Sequence, residues 1–356
     1  MRDERIADRL VERRGVVRGR WAHTYAALDL GTNNCRLLVA RPAGNGFRVL
    51  DAFSRIVRLG EGVSERAALT EPAMARTIDA LKVCARKMRR SGVTRARSVA
   101  TEACRRAANR EDFLRRVRYE TGVVIDTIDA QEEARLALGG CVPLFHRGTG
   151  YALLFDIGGG STQLLWLRIR NGDSAAVDAE VVGALSVACG VVGLSERFGG
   201  DRVDPGTYEA ICQHVDALIR PFDVAYRIGE QVRAGNVQMV GTSGTVTTLA
   251  GVHLGLDRYD RSRVDGVPLS FDDIAATSLS LAELDYAGRA ALPCVGPDRA
   301  DLVVGGCAVL EAICRIWPVG RLRVGDRGLR DGILLDLMAE ADREEATPLA
   351  GGAVLP

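Results

Sequence analysis

Histidine is scarce in this chain of 356 residues. Only His23, His146, His214 and His253 occur, and none stands in an HExxH pair or beside an evident nucleophile. That argues against histidine-centred metal or nucleophile chemistry. Nine cysteines are present, an odd number without any CxxC spacing. They fit a reducing, cytoplasmic setting and argue against a zinc cluster or a disulfide framework. No uninterrupted apolar run approaches the roughly 20 residues of a membrane span, so no membrane partner is expected. A net charge of +1 gives no global reason to expect nucleic-acid binding, and any polyanion site must come from local clusters of arginine.

The head of the chain, MRDERIADRLVERRGVVRGR, mixes both charge signs and lacks the apolar centre of a signal peptide. Residues 1–22 are expected to be a mobile charged tail. The end, LMAEADREEATPLAGGAVLP, fades into small residues, and 343–356 are expected to be disordered. The run RKMRR at residues 86–90 reads as the polar face of a helix rather than a polyanion track.

What is present is a pattern that occurs twice. YAALDLGTNNCRLLVARPAGNGFRVLDAFSR, from Tyr25, is an apolar run ending in Asp29, a polar turn, a second apolar run, an AGNG turn and a third extended segment. YALLFDIGGGSTQLLWLRIRNGDSAAVDAEVVGALS, from Tyr151, repeats it, with Asp156 ahead of a glycine-rich turn and an NGD hairpin turn. Alignment sets Asp29 on Asp156, Gly31 on Gly158, Thr32 on Gly159, Asn33 on Gly160 and Asn34 on Ser161. Each copy is followed by alternating helix and strand: helix over 71–90, the strand ARSVAT, helix through Phe113 to Tyr119 and the strand VVIDTI after the first; helices near 191–198 and 208–219 and the strand VQMVGTSG after the second. This predicts an α/β chain with a duplicated strand-meander core. Two such lobes facing each other bring both Asp-Gly turns to one cleft.

A glycine-rich turn alone is only a turn, but a facing pair has a chemical use. Gly31, Gly158, Gly159 and Gly160 let backbone N–H groups approach phosphate oxygens, while Thr32, Asn33, Asn34, Ser161 and Thr162 add side-chain donors. Arg36 is placed to clamp a phosphate. Asp29 and Asp156, at strand ends, either cap their own turns or hold a divalent cation between carboxylate and phosphate. Downstream, Gly241, Thr242, Ser243 and Gly244 lie between a strand and a helix, where N–H groups accept an anion, although a plain strand-to-helix turn has the same sequence.

Two glutamates adjoin in EEARLALGG. Asp129 stands three residues before Glu132, the spacing of a capping box in which Glu132 reaches back to the Asp129 N–H. Glu133 lies about 100° around the helix and is not needed for the cap.

The motifs DLGTNNCRLLV, VATEACRRAANREDF, EEARLALGG, FDIGGGSTQL, GTSGTVTTLAG, RADLVVGGCAVLEAI and GDRGLRDGIL run in order over about residues 24–340. Together they resemble the exopolyphosphatase and guanosine pentaphosphate phosphatase family, in its short form, within the actin, sugar-kinase and Hsp70 superfamily. The resemblance implies two actin-like (ribonuclease H-like) lobes and an interlobe cleft: lobe I at 23–133, completed by a C-terminal helix at 328–342, and lobe II at 134–327. It implies a hydrolase that removes terminal phosphate from inorganic polyphosphate, with guanosine pentaphosphate as a second substrate, Mg²⁺ as cofactor and a homodimer. It assigns Glu133 as the base and Asp156 as the residue acting through the metal, with Asp29 as second metal ligand. It also places Arg105 and Arg299 near the substrate. Three positions depart from the family pattern: Gln163 where glutamate is usual, Asn34 for serine, and Asp331 for glutamate. Gln163 removes a carboxylate from the site, which keeps open a weakly catalytic sensor of guanosine tetraphosphate or polyphosphate. A kinase of the same superfamily is a third reading, but no acceptor-specific motif is visible.

Overall fold

The computed structural model describes residues 19–44, 46–170 and 177–346. Most of the expected N-terminal tail (1–18), Asn45 of the AGNG turn, the NGD turn at 171–173 and residues 347–356 lie outside the described residues.

The repeat seen in the sequence becomes two sheets. In the first, β1 (Tyr25–Leu30), β2 (Asn34–Ala43) and β3 (Gly46–Ile56) form an antiparallel meander, and β4 (Arg95–Ala100) and β5 (Asp126–Thr127) add in parallel, giving the order β3-β2-β1-β4-β5. In the second, β6 (Tyr151–Ile157), β7 (Thr162–Arg170) and β8 (Asp178–Val187) repeat the meander, and β9 (Val237–Thr242) pairs in parallel with β6. With β10 (Pro268–Ser270) and β11 (Arg321–Gly325) the order is β10-β11-β9-β6-β7-β8. The correspondence extends to irregularities: the register shifts between Val39 and Ala40 in β2 and between Trp166 and Leu167 in β7, each eleven residues beyond its aspartate at the shift's far side. β1 and β6 are almost wholly buried because both of their faces are covered, which is why they read as continuous apolar runs rather than alternations. The expected strand VVIDTI shrinks to the two residues of β5, since only Asp126 and Thr127 find partners on β4.

The helices used below are α1 (Glu71–Arg90), α2 (Glu102–Arg106), α3 (Ala130–Cys141), α4 (Val191–Phe198), α5 (Pro205–Tyr226), α6 (Ser243–His253), α7 (Val303–Ile316) and α8 (Leu329–Ala346). α1 starts at an N-cap, Thr70, whose hydroxyl accepts from Ala73 N–H, has Pro72 in its first turn and ends in Lys87, Arg89 and Arg90. Lys87 and Arg90 are engaged by Asp51 of β3.

α3 and α8 fix where the cleft lies. α8 buries Ile333, Leu334 and Met338 against Tyr25, Ala27 and Leu38 of the first sheet. It crosses α3 closely: a Cβ added at Gly332 would collide with the Leu136 carbonyl, and one at Gly140 with the Gly328 carbonyl. The other side of α3 buries Ala134, Leu138 and Cys141 with Leu154, Leu165 and Val240 of the second sheet. α3 is therefore wedged between the two sheets, and the expected division at 133/134 falls inside this one helix. Gly19–Ala22, grouped by sequence with the charged tail, form a 3-10 turn, and Arg20 there pairs with Asp342 of α8. α8 itself runs to Ala346, past the expected start of a disordered tail at 343.

Candidate active site

The two Asp-Gly turns meet tip to tip. In each, the first glycine N–H donates to the carbonyl three residues on, Gly31 to Asn34 and Gly158 to Ser161, both at 2.9 Å. The backbone N–H groups of Thr32, Asn33, Gly159 and Gly160 have no protein acceptor among the described residues. Four unpaired donors at a cleft floor have the geometry in which backbone amides can take an anion. The consecutive glycines have a second reason: a Cβ at Gly160 would sit 2.5 Å from Thr32 Oγ1, and one at Gly159 2.8 Å from Asn33 Cβ. Only glycine lets the second turn rest against the first.

Asp29, Thr32, Asn33, Asn34, Arg36, Glu102, Glu133, Asp156, Ser161, Gln163 and Ser243 line one pocket above these turns. Burial pushes both Asp29 and Asp156 above the ordinary carboxylate range. Arg36 opposes this at each, helped by Arg330 at Asp29 and by hydrogen bonds from Ser243 and Thr242 at Asp156. The Asp156 charge raises Asp29 further, as expected for two carboxylates sharing one site.

Glu132 and Glu133, adjacent in sequence, are driven apart. Asp129 caps α3 by accepting from Glu132 N–H at 2.8 Å, but the reciprocal half of the expected capping box is absent. The Glu132 carboxylate instead binds Arg135 (2.8 Å) and Arg97 (3.0 Å), which hold its pKa down to about 2. Two guanidinium partners outcompete one backbone N–H for a charged acceptor. Glu133, on the neighbouring face, points into the pocket, and burial raises it to about 7 against the pull of Arg105, whose Nη1 lies 2.7 Å away. Two carboxyl groups with separated pKa values are the mark of divided roles.

Several expected phosphate ligands are placed otherwise. Arg105 spends its guanidinium on Glu133, Glu102 (2.9 Å) and the Ile128 carbonyl (3.0 Å), so it aims the glutamate. Thr162 turns away from the cleft, because alternation along β7 sends its side chain to the opposite face, where its hydroxyl donates to the Cys189 carbonyl at 2.6 Å. Gly241 is buried in β9, where a Cβ would meet the Phe155 ring; it serves packing. Thr242 donates to the Phe155 carbonyl and lies 3.2 Å from Asp156 Oδ2, so it orients the aspartate. Ser243 opens α6 at φ 79°, the left-handed conformation that a non-glycine residue adopts only when its surroundings demand it. Asp331 is buried in an ion pair with Arg261 at 2.8 Å, away from the turns.

Beyond the first pocket a second one is lined by Asn33, Arg36, Gly159, Gly244, Thr248 and Arg299. Arg36, shared by both, forms no hydrogen bond or ion pair among the described residues, and a Cβ at Gly244 would be 3.5 Å from its Nη2. Burial and then Arg36 lower the pKa of Arg299, and burial and then Arg36 lower that of Arg330 as well. Arg36 thus crowds both Arg299 and Arg330, and among the described residues only Arg299 of the three has a hydrogen bond, to Thr248 at 3.3 Å, so that an anion would complete the cluster. Arg330 and Glu102 were not singled out from the sequence. Arg330 stands in GDRGLRDG beside the departing Asp331, and only the packing of α8 under β1 reveals that it faces Asp29.

The donor set suits a hard divalent cation. Asp29 and Asp156 offer carboxylates, and the Oδ1 atoms of Asn33 and Asn34 are buried without a partner. No group of three or more His, Cys, Asp or Glu side chains able to hold a metal occurs among the described residues, so Mg²⁺ would be held by one or two carboxylates, with water and phosphate oxygens completing its shell.

Two lobes built on one repeated meander, with facing glycine-rich turns, a carboxylate pair and a separately tuned glutamate, give the actin-like fold, and the family and relatives that follow make the chain a phosphoanhydride hydrolase. The chain belongs to the Ppx/GppA phosphatase family, whose model matches residues 38–341. It is 30% identical over 330 residues to exopolyphosphatase 2 of Mycobacterium tuberculosis, covering 88% of this chain and 98% of that protein. Among solved structures it resembles an exopolyphosphatase-like protein (TM-score 0.76, 32% identity, 88% of this chain and 97% of that one). It also resembles the Aquifex aeolicus member of the Ppx/GppA family (TM-score 0.70, 27% identity, 89% and 98%). Among the described residues no helix is long and apolar enough to cross a membrane.

Proposed function

We propose that the protein is an exopolyphosphatase that cleaves the terminal phosphoanhydride of inorganic polyphosphate by direct attack of water. The observation that carries this reading is Glu133, a buried carboxyl group raised to about 7 in the pocket that contains both phosphate turns. A base near the operating pH combines proton affinity with a deprotonated population.

The terminal phosphoryl group lies on the free N–H groups of Thr32, Asn33, Gly159 and Gly160, with Arg36 against its oxygens. Glu133 accepts a proton from water as the water oxygen bonds to phosphorus. The bridging P–O bond then breaks, and its electrons leave with the shortened chain. The turn amides and Arg36 stabilise charge on the transferred group, which supplies most of the rate in such reactions. Arg105 keeps Glu133 pointing at the water. Asp29 and Asp156 would hold Mg²⁺, which would supply charge neutralisation at the phosphate oxygens. The next phosphates of the chain extend into the second pocket, past Arg36 toward Arg299. Guanosine pentaphosphate presents the same terminal anhydride and is the second substrate of this reading.

Phosphate release from long-chain polyphosphate and from guanosine pentaphosphate, measured in parallel with and without Mg²⁺, tests the proposal. Release from neither overturns it. Gln163 favours one alternative: its neutral amide faces the pocket next to Asp156 in register, where an added carboxylate would strengthen metal binding. Tight binding of guanosine tetraphosphate or polyphosphate without turnover would make the protein a sensor.

A further inference from the structure

Where the lobes meet on the side of the second pocket, a loop of lobe I touches both the first phosphate turn and lobe II. Residues 57–62 follow β3. Val57 and Arg58 N–H both donate to the Asn33 carbonyl (2.8 and 3.0 Å), and Gly60 N–H donates to the Thr32 carbonyl (2.9 Å). The loop therefore fixes the carbonyl side of the turn whose N–H groups face the pocket. It fits there tightly, since a Cβ at Gly60 would collide with the Thr32 methyl group. Arg76 of α1 anchors it from behind through the Val57 carbonyl (3.1 Å) and Glu61 (2.8 Å).

Arg58 has φ 47°, a strained conformation for a residue with a side chain. That conformation accompanies a reach across the cleft. Its Nη1 and Nη2 meet the two oxygens of Asp301 at 2.9 and 3.0 Å, a bidentate pair, and Nη2 also reaches the Asp298 carbonyl at 3.4 Å. A second strut runs from Gly62 N–H to Glu196 of α4 at 3.1 Å. Asp301 is two residues beyond Arg299, in the bend whose Arg299 carbonyl accepts from Leu302 and Val303 N–H at the start of α7. The Arg58–Asp301 pair thus joins the backbone of the first turn to the segment that carries Arg299.

We propose that Arg58 and Asp301 form an interlobe latch that sets the span between the first phosphate turn and Arg299, and so governs the grip on phosphates behind the terminal one. The inference rests on the reading of the second pocket as the track of a phosphate chain. Neither residue touches the reacting atoms; both are positioning residues. Losing the latch weakens the hold on the chain and leaves the chemical step intact.

The test is a double-mutant cycle on Arg58→Ala, Asp301→Ala and the pair, with kcat and KM for polyphosphate. Each single variant is expected to raise KM by about threefold to fivefold, the range of a partly exposed ion pair, with kcat within about twofold. The double variant should be no worse than either single one, and the swap of Arg58→Asp with Asp301→Arg should recover part of the loss. Additive effects, a fall in kcat at constant KM, or unchanged KM overturn the latch. Hydrogen exchange provides a readout without substrate: Asp301→Ala should speed exchange at Val57, Arg58 and Gly60, and unchanged rates there count against the latch. If wild-type protein proves inactive on polyphosphate while exchange responds as expected, the substrate reading fails and the latch stands.

Discussion

The two Asp-Gly turns are copies in backbone and opposites in chemistry. Asp29 on β1 pairs in register with Arg36, and Asp156 on β6 pairs in the same register with Gln163. The first turn carries side chains, Thr32-Asn33-Asn34; the second carries almost none, Gly159-Gly160-Ser161. The difference follows from their contact. Two bulky turns cannot meet tip to tip, so one supplies charge and donors while the other supplies space and bare amides. A duplicated scaffold has in this way become a site with one cationic wall and one permissive wall.

Removing the proposed base should have the largest effect. Glu133→Gln keeps size and hydrogen bonding but accepts no proton, and steady-state phosphate release should fall by about 10²–10⁴-fold; a rate near wild type removes Glu133 from the role. In the unaltered protein the rate should rise with pH through about 7, as Glu133 loses its proton. Stability responds in the opposite sense. Because the folded-state pKa lies above the usual 4.5, the contribution of protonated Glu133 is complete below 4.5 and is lost as pH climbs toward 7. Glu132, held near 2, contributes stability above 4.5 that disappears as pH falls through 2.

Erasing the difference between the turns comes next. Arg36→Gln gives lobe I the residue of lobe II at that register position and should lower kcat/KM by about 10²-fold, the scale of one lost transition-state donor. A smaller effect is expected from Gly160→Ala, whose new methyl presses on Thr32. It should destabilise the fold by about 1–3 kcal/mol in denaturant unfolding. Gly31→Ala, meeting only the Asn34 carbonyl at 3.6 Å, is the control and should change stability little. The smallest shift belongs to Gln163→Glu. A carboxylate beside Asp156 should reduce the Mg²⁺ concentration for half-maximal rate by roughly fivefold, about 1 kcal/mol once its attraction for the cation is offset by its own desolvation; no change would mean that Gln163 has no part in metal binding.

Much of the architecture was legible from local pattern. Helix α1 and helix α4 lie where the sequence places them, and the repeat predicts both meanders, because hydrophobic period and turn residues act over a few positions. The site was legible in part. Asp29, Asp156, Glu133, Arg36 and Arg299 all reach the two pockets, while Thr162 and Gly241 carry the right residue types and face elsewhere, and Arg105 is taken up by Glu133 and Glu102. Which way Thr162 points depends on strand phase, and what Arg105 binds depends on Glu133, 28 residues away.

By itself the sequence determined that this protein has two copies of a strand-turn-strand unit, each with an aspartate at the strand end, and a glutamate on a helix between them. Tertiary structure alone decided that the turns touch, that α3 is wedged between the sheets with Glu133 buried and Glu132 paired at the surface, and that Arg36, Arg299 and Arg330 converge. The physical reason is range. Backbone geometry and amphipathic period are set by neighbours in the chain, whereas burial, desolvation and the gathering of like charges depend on residues far apart in it, as Tyr25 and Met338 are.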